Sequence, residues 1–407
     1  MKCRACNYFS KNNFLDLGRT PPSNAFLNSR NQKEKFYPLK IFFCKKCYLV
    51  QTQDFASRNE LFNKNYVYFS GYSDTWKKHL SKFINSLEKK KIIKKKKSFI
   101  VEIASNDGTL QELLENRRYQ TLGIEPTEST AKTAKLKGLN VIQKFFGTKL
   151  AKQLKKKKSP DLIVANNVLA HVPDINDFIK GLKILLKKDG VISIEFQHLL
   201  NILKKSQFDT IYHEHYSYLS LIAVKKIFLK HQLTIFDAEE ISTHGGSLRV
   251  FIKHKKDLSK KVTSNLNKIF LKKKKLKLKK KKKNEIIKKK IKLKKKNFLN
   301  FLHDNLKKKK TFVAYGAAAK GNTFLNFLNI NSVKIKYIID KNPFKVGKYL
   351  PGSKIKVHNE NFLKKHKPDF ILILPWNLKD EIMRQLSYVK KWNAKFVVAI
   401  PNTKIFK

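Results

Sequence analysis

The stretch Phe99-Ile100-Val101-Glu102-Ile103-Ala104-Ser105-Asn106-Asp107-Gly108-Thr109 decides the fold. Its first five residues read as a strand, its small and polar middle as a turn, and Gly108 to Leu114 as the start of a helix. Working outward, Thr121-Leu122-Gly123-Ile124-Glu125 reads as a second strand with a helix through Lys137, and Leu162–Ala165 and Val191–Phe196 as further strands around a helix from Asp174 to Leu186. Strands alternating with helices predict an open parallel sheet whose ligand crevice lies at the strands' carboxyl ends. A second βα pattern starts at Thr311–Gly316 and runs through Lys336–Asp340, Phe370–Leu374 and Phe396–Ile400. The class is therefore α/β, and three domains are expected over residues 1–69, 70–245 and 246–407. The last includes a lysine-rich linker over 255–310, in which residues 271–296 hold 17 Lys and one acid, Glu285. Self-repulsion predicts that this stretch is extended or a long solvated helix resting on one thin apolar stripe.

The chain has 407 residues, 42% of them apolar, and a net charge of +59. Such a chain can fill several cores and is not a disordered tail. Of its 89 basic residues only 8 are Arg. A nucleic-acid reader concentrates Arg, which pairs bidentately with phosphate and guanine, on one element. Lys spread over every solvated slot instead predicts a basic surface that meets nucleic acid only non-specifically. No run approaches the ~20 apolar residues of a membrane span, and a cysteine pair stands where a secretory signal would have its apolar core. A soluble, cytoplasmic protein is expected, with no membrane partner.

All four cysteines lie early, as Cys3-x2-Cys6 and Cys44-x2-Cys47. Two such knuckles suit one tetrahedral thiolate zinc site better than a disulfide framework. Four thiolates leave zinc no open position for water or substrate, so the expected ion is structural.

In the opening stretch, an acid inside the strand (Glu102) precedes a small-residue turn over Ala104, Ser105, Asn106, Asp107 and Gly108, and the next strand ends in Glu125. A carboxylate there can take both hydroxyls of a ribose, which points to an adenosine-type ligand. Neither G-x-G-x-x-G nor G-x-x-x-x-G-K-[ST] occurs in this region, so a dinucleotide fingerprint and a triphosphate loop are unsupported. Asn166 and Asn167 follow the strand Leu162–Ala165 at the same crevice, ahead of His171, which as a lone histidine there is more often a cap or packing residue.

Downstream, Tyr212-His213-Glu214-His215 packs ionisable groups densely. A helical turn would bring Tyr212 beside His215, pairing a base that works near neutral pH with a phenol able to donate to an oxyanion. On a strand, His213 and His215 would share a face as a metal pair, and a His- and Tyr-rich surface loop is the third option. Lys320 follows Gly316-Ala317-Ala318-Ala319 at a strand-to-helix junction, a place suited to an anionic phosphate or, more blandly, to solvent.

Several of these segments together resemble the three-domain, S-adenosylmethionine-dependent sugar C-methyltransferases. The resemblance is carried in order by Cys3-x2-Cys6, Leu17-Gly18-x2-Pro21-x2-Asn24, Cys44-x2-Cys47-x3-Gln51, Val101–Thr109, Gly123-Ile124-Glu125-Pro126 and Asn167–Asp174. It continues through Tyr212–His215, His244-Gly245-Gly246-Ser247-Leu248-Arg249, Tyr315–Thr323 and Leu374-Pro375-Trp376-Asn377. It implies a zinc-binding N-terminal domain, a central Rossmann-like class I methyltransferase domain and a C-terminal Rossmann-like domain that helps hold a nucleotide-linked deoxysugar. It further implies S-adenosylmethionine and structural Zn2+ as cofactors, and His215 as the base that removes a proton beside the sugar's ketone. Tyr212, Glu214, His171 and Tyr66 are implied around that base, with Tyr68, Lys320 and Asn322 at the sugar nucleotide. Glu102, Ala104–Gly108, Glu125, Asn166 and Asn167 fall at the cofactor. The family usually carries Gly where this chain has Ala104, and the added methyl is accommodated as long as φ stays negative. The rival reading of the +59 charge is a polyanion-binding protein or an RNA-directed methyltransferase. It predicts tight, steeply salt-dependent nucleic-acid binding, but base methylation rarely needs a Tyr/His pair.

Overall fold

The structure is a computed structural model that describes residues 1–10, 13–62, 66–274 and 281–407. Contacts divide the chain into two compact units, one of residues 1–12, 42–199 and 215–279, the other of residues 13–41, 200–214 and 280–407.

The first unit is built on a seven-stranded sheet. Its strands are β1 (Phe99–Ile103), β2 (Gln120–Ile124), β3 (Val141–Ile142), β4 (Leu162–Asn166), β5 (Val191–Gln197), β6 (Leu233–Ile241) and β7 (Ser247–His254), in the spatial order β6-β7-β5-β4-β1-β2-β3. β1 to β5 are parallel, and β7 runs antiparallel between β5 and β6. The order reverses on either side of β1, which opens a crevice at the carboxyl ends of β1 and β4. The parallel strands are near-continuous apolar runs because helices cover both sheet faces. Helix α1 (Asp74–Lys89) starts where Ser73 accepts a hydrogen bond from the Trp76 N–H, and buries Leu80, Phe83, Ile84 and Leu87 at helical spacing. On the other face, α2 (Ile175–Leu185) is capped by Asp174 and buries Ile175, Phe178, Ile179, Leu182 and Leu185. Each such side chain contributes roughly 1.5–3 kcal/mol by leaving water.

Cys3, Ala5, Cys44, Cys47 and Leu49 pack in one apolar core with Val101, Ile163, Leu182, Leu219 and Phe228. A short antiparallel pair, Val50 opposite Tyr218 and Gln51 opposite Ser217, joins the second knuckle to the segment after His215.

The second unit has a six-stranded sheet with strands β8 (Phe312–Tyr315), β9 (Ile338–Ile339), β10 (Val357–His358), β11 (Phe370–Ile373), β12 (Lys395–Val398) and β13 (Lys404–Phe406). Their order is β10-β9-β8-β11-β12-β13, parallel except for β13. Most of the lysine-rich stretch is helical, in α3 (Ser264–Lys274) and α4 (Lys281–Lys307), while residues 275–280 lie outside the described residues. α4 is the long, thinly striped helix that self-repulsion allowed, since among the described residues its buried side chains are Ile291, Phe298 and Leu302. Phe301 of α4 stands edge-on to Phe312 and Phe370, which stack with ring centroids 4.6 Å apart.

Candidate active site

The turn after β1 is tighter than the sequence suggested. Ala104, Asn106 and Gly108 have φ of 54°, 53° and 76°. Ala104 therefore does not keep the negative φ on which its methyl was expected to be tolerated. It holds a left-handed conformation that costs a side-chain-bearing residue about 1 kcal/mol, and its N–H is pinned 2.7 Å from the Ile124 carbonyl. At Gly108 an added Cβ would meet left-handed strain and sit 2.2 Å from Leu139 Cδ1, so a larger residue there requires the Leu139 side chain to move.

Three carboxylates converge on this turn. Glu125 is buried at the end of β2, where Oε2 accepts the Asn106 N–H at 2.8 Å and Oε1 the Thr127 N–H at 2.8 Å. Asp107 binds the chain on the far side, accepting from Ser70 Oγ at 2.7 Å, the Gly71 N–H at 2.8 Å and Thr109 Oγ1 at 2.7 Å. The Tyr66–Tyr72 segment is thereby tied to the turn, with Asn106 Nδ2 also donating to the Tyr68 carbonyl at 3.1 Å. Glu102 is left with Oε2 buried and unpartnered, and burial, with the charges of Asp107 and Glu125, pushes its pKa well above the carboxylate range. Ser105 Oγ and both amide atoms of Asn166 are likewise buried without partners. Orphaned acceptors and donors beside an excess of carboxylates fit a cationic, hydroxyl-bearing ligand, as S-adenosylmethionine is. Asn167, at φ 58°, gives its N–H to the Glu195 carbonyl and shapes the next turn.

After β4 the chain makes a short 3-10 turn over Leu169–His171. The His171 ring meets the His215 ring edge to face, with centroids 4.5 Å apart. Phe62 stands against His171 at 5.8 Å and against Tyr66 at 5.6 Å, and Tyr218 against His215 at 6.1 Å. The structure thus gathers His171, His215 and Tyr66 in one aromatic cluster, while Tyr68 is 47% exposed and contributes its backbone.

The chain turns at His213–Glu214, so the strand alternative with a His213/His215 metal pair does not hold. Tyr212, His213 and Glu214 belong by contact to the second unit. There His213 is buried against Tyr37, and burial lowers its pKa. Glu214 binds the Ser23–Asn24 loop, accepting the Asn24 N–H at 2.8 Å and Asn24 Nδ2 at 3.1 Å. In the same unit Lys320 is half-buried and donates to Asn377 Oδ1 at 2.6 Å above the Trp376 ring, and burial lowers its pKa. Asn322 is buried with Nδ2 unpartnered.

Two groups escaped sequence reasoning. Asp209 is buried, accepts the Trp376 indole N–H at 2.6 Å and is pushed up to about 6 by burial, against the pull of Lys320. Glu195, in β5 two residues before its last residue Gln197, accepts from His79 at 2.7 Å, Arg249 Nη2 at 2.8 Å and Thr243 Oγ1 at 2.8 Å. Burial raises its pKa, yet the His79 bond and the Arg249 charge bring it down to about 2. The one available signal was the His244–Arg249 motif, whose arginine seeks a buried acid.

The four cysteine sulfurs all lie within 4.8 Å of one another. The closest pairs, Cys3–Cys47 and Cys6–Cys44, are 3.5 Å apart, too far for disulfides and near the edge of a tetrahedron with ~2.3 Å zinc–sulfur bonds. The set fits a closed Zn(Cys)4 centre.

Comparison with known sequences agrees with this architecture. Three profiles match in tandem: a zinc binding domain over residues 3–62, a methyltransferase domain over 74–237 and a C-methyltransferase C-terminal domain over 242–401. The chain belongs to the C-methyltransferases. The C-methyltransferase NovU of Streptomyces niveus is 27% identical over 407 residues, which span 99% of this chain and 96% of NovU. Among solved structures, the PH0226 protein of Pyrococcus horikoshii OT3 matches 47% of this chain over 99% of its own, at 16% identity and a TM-score of 0.36. An S-adenosylmethionine-dependent methyltransferase of Clostridium acetobutylicum ATCC 824 matches 44% over 91%, at 14% and 0.35. As a member of the family the protein is an S-adenosylmethionine-dependent C-methyltransferase with a zinc-binding N-terminal region. No helix among the described residues is long and apolar enough to cross a membrane.

Proposed function

We propose that this C-methyltransferase methylates the carbon beside the ketone of a nucleotide-linked deoxysugar, after His215 removes the proton from that carbon. The observation that supports the reading most is the His171–His215 contact at 4.5 Å, in the unit that also carries the carboxylate-rich turn. A C–H beside a ketone is acidic enough only when a base lies over the hydrogen and donors stabilise the oxyanion as it forms. A ring nitrogen of His215 takes the proton, and His171 and the Tyr212 hydroxyl donate to the carbonyl oxygen. Tyr66 lines the aromatic side of the site, Glu214 orders the Ser23–Asn24 loop, and Lys320, Asn322 and Tyr68 serve the nucleotide and sugar. Glu125 and the Ala104–Gly108 turn hold S-adenosylmethionine, with Glu102, Asn166 and Asn167 alongside. When bound, the cofactor supplies an electrophilic methyl on a sulfonium. The domain division at about residues 70 and 245 belongs to the same proposal, as does a cytoplasmic setting.

The test is incubation with S-adenosylmethionine and a panel of thymidine-diphosphate keto-deoxysugars in deuterated water, following deuterium uptake and methyl gain together. The zinc-loaded protein is expected to do both on at least one sugar. His215→Asn should slow exchange by about 10²–10⁴-fold with cofactor affinity retained. Methyl transfer that survives His215→Asn unchanged removes the base from the mechanism.

A further inference from the structure

His171 and His215 lie on segments far apart in sequence, and their contact has to be held from outside the pair. We infer that Arg4, inside the first cysteine knuckle, is the positioning residue that holds both segments, so that the closed zinc centre sets the geometry of the histidine pair. The inference rests on the proposed roles of those histidines.

Arg4 is anchored at its root by Cys3 and Cys6 on either side. Its N–H donates to Gln51 Oε1 at 3.0 Å, and its carbonyl accepts from Asn176 Nδ2 at 2.8 Å. From that fixed base the side chain, 7% exposed, fans its guanidinium over three segments. Nη1 donates to the Pro173 carbonyl at 3.0 Å, two residues beyond His171. Nη2 donates to the Thr52 carbonyl at 2.8 Å and to Asp54 Oδ1 at 2.6 Å. The guanidinium carbon also lies 5.2 Å from the centre of the Tyr216 ring, next to His215. Thr52 completes the link: its N–H donates to the Tyr216 carbonyl at 3.1 Å and its hydroxyl to the His215 carbonyl at 3.1 Å.

A planar fork with five donors can serve two carbonyls and a carboxylate at once, whereas an ammonium offers a single compact centre. This chain writes nearly all its cations as Lys and keeps only 8 Arg, so an Arg at this position is informative. Zinc bound by four thiolates takes no direct part in the reaction. Through Arg4 it nevertheless bears on the step in which a small misplacement of the base is most expensive.

The experiment uses the full zinc-loaded chain with ¹³C-labelled histidine, as Arg4→Lys, Arg4→Ala and Thr52→Val. Three readouts are taken: zinc content, S-adenosylmethionine affinity by calorimetry, and the through-space cross-peak between the His171 and His215 rings. Exchange of the keto-sugar proton in deuterated water is followed alongside. With zinc retained and cofactor affinity within about twofold, Arg4→Lys should lose most of the cross-peak. The exchange rate should fall by about ten- to a hundredfold, in kcat rather than KM. Thr52→Val should do the same more weakly, and guanidinium ion added to Arg4→Ala should restore part of the rate. The inference is overturned if Arg4→Lys keeps both cross-peak and rate, or if cofactor affinity falls by the same factor as exchange, which marks general loosening. If the parent protein exchanges no sugar proton, the proposed substrate is wrong, and the cross-peak still decides whether Arg4 holds the pair.

Discussion

Each unit carries a strand, a turn, a helix and an acid at the end of the neighbouring strand, and the two turns are closed in the same way. In the first, Glu125 accepts the N–H groups of Asn106 and Thr127 at 2.8 Å each. In the second, Asp340 accepts those of Ala317 at 2.7 Å and Asn342 at 2.8 Å. The surroundings differ in sign. Beside Glu125 stand two more carboxylates, Glu102 and Asp107, and an orphaned acid oxygen. Beside Asp340 stands Lys345, 3.3 Å away and also bonded to the Ala317 carbonyl, and the helix that follows carries Lys320. One backbone solution thus yields a cleft that wants a cation and a cleft whose acid is already neutralised. The backbone closes the turn, and the neighbouring side chains choose the ligand.

The comparison breaks first at its two acids. Glu125→Ala is expected to weaken S-adenosylmethionine binding by about a hundred- to a thousandfold, the worth of two charge-assisted hydrogen bonds. Asp340→Ala should leave that affinity unchanged by calorimetry. Equal losses in the two variants would mean that the acids are only structural.

The second unit's buried acid gives a pH test. Asp209 sits at about 6 when folded, above the ~3.9 of an unfolded chain. Between those values the unfolded chain has released its proton while the folded protein keeps it, so stability falls as pH rises from about 4 to 6 and is flat above. The full shift corresponds to roughly 3 kcal/mol, and about 2 is expected once the site relaxes. Melting temperatures across that window should fall in the parent and fall less steeply in Asp209→Asn, where the remaining slope comes from the other buried acids with raised pKa, Glu102 among them. Glu195 has the opposite sign. Held at about 2, it contributes stability above the ordinary carboxylate pKa that is lost as pH drops from there toward 2.

Glu102 sharpens the contrast further. Its pKa is raised by burial and by neighbouring acids, and a bound cation favours its ionised form. Cofactor affinity should therefore climb by about tenfold as pH rises above the normal carboxylate range, and Glu102→Gln should flatten that climb in calorimetric titrations.

The parallel strands were legible because strands covered on both faces read as unbroken apolar runs, as Leu162–Ala165 and Phe370–Leu374 do. The antiparallel strands β6, at the sheet edge, and β7, beside it, were not. Asp237, Glu239, Arg249 and Lys253 interrupt their pattern, and these charges fit a sheet only because partners lie elsewhere: Lys90 on Asp237 and Glu239, and Arg249 on Glu239 and Glu195. The metal ligands were legible because their spacing is local. The meeting of His171 with His215, and the Arg4 contacts around them, depend on long-range packing that no window of sequence contains. The sign of φ at Ala104 was also hidden, since alanine's own preference argues against the value it adopts.

That residue supplies the smallest effect and the finest test. At φ 54°, Ala104 bears a Cβ where glycine would be unstrained, so Ala104→Gly relieves about 1 kcal/mol in the folded state. It also loosens the unfolded chain, which offsets about 0.4–1 kcal/mol of that relief. Thermal stability should accordingly move by less than about 3 °C. Cofactor affinity answers to the folded state alone. If the methyl also narrows the approach to the turn, Ala104→Gly should tighten S-adenosylmethionine binding several-fold at nearly constant melting temperature. An affinity that stays fixed while the melting temperature rises would place the strain in the scaffold and leave the cofactor's path open.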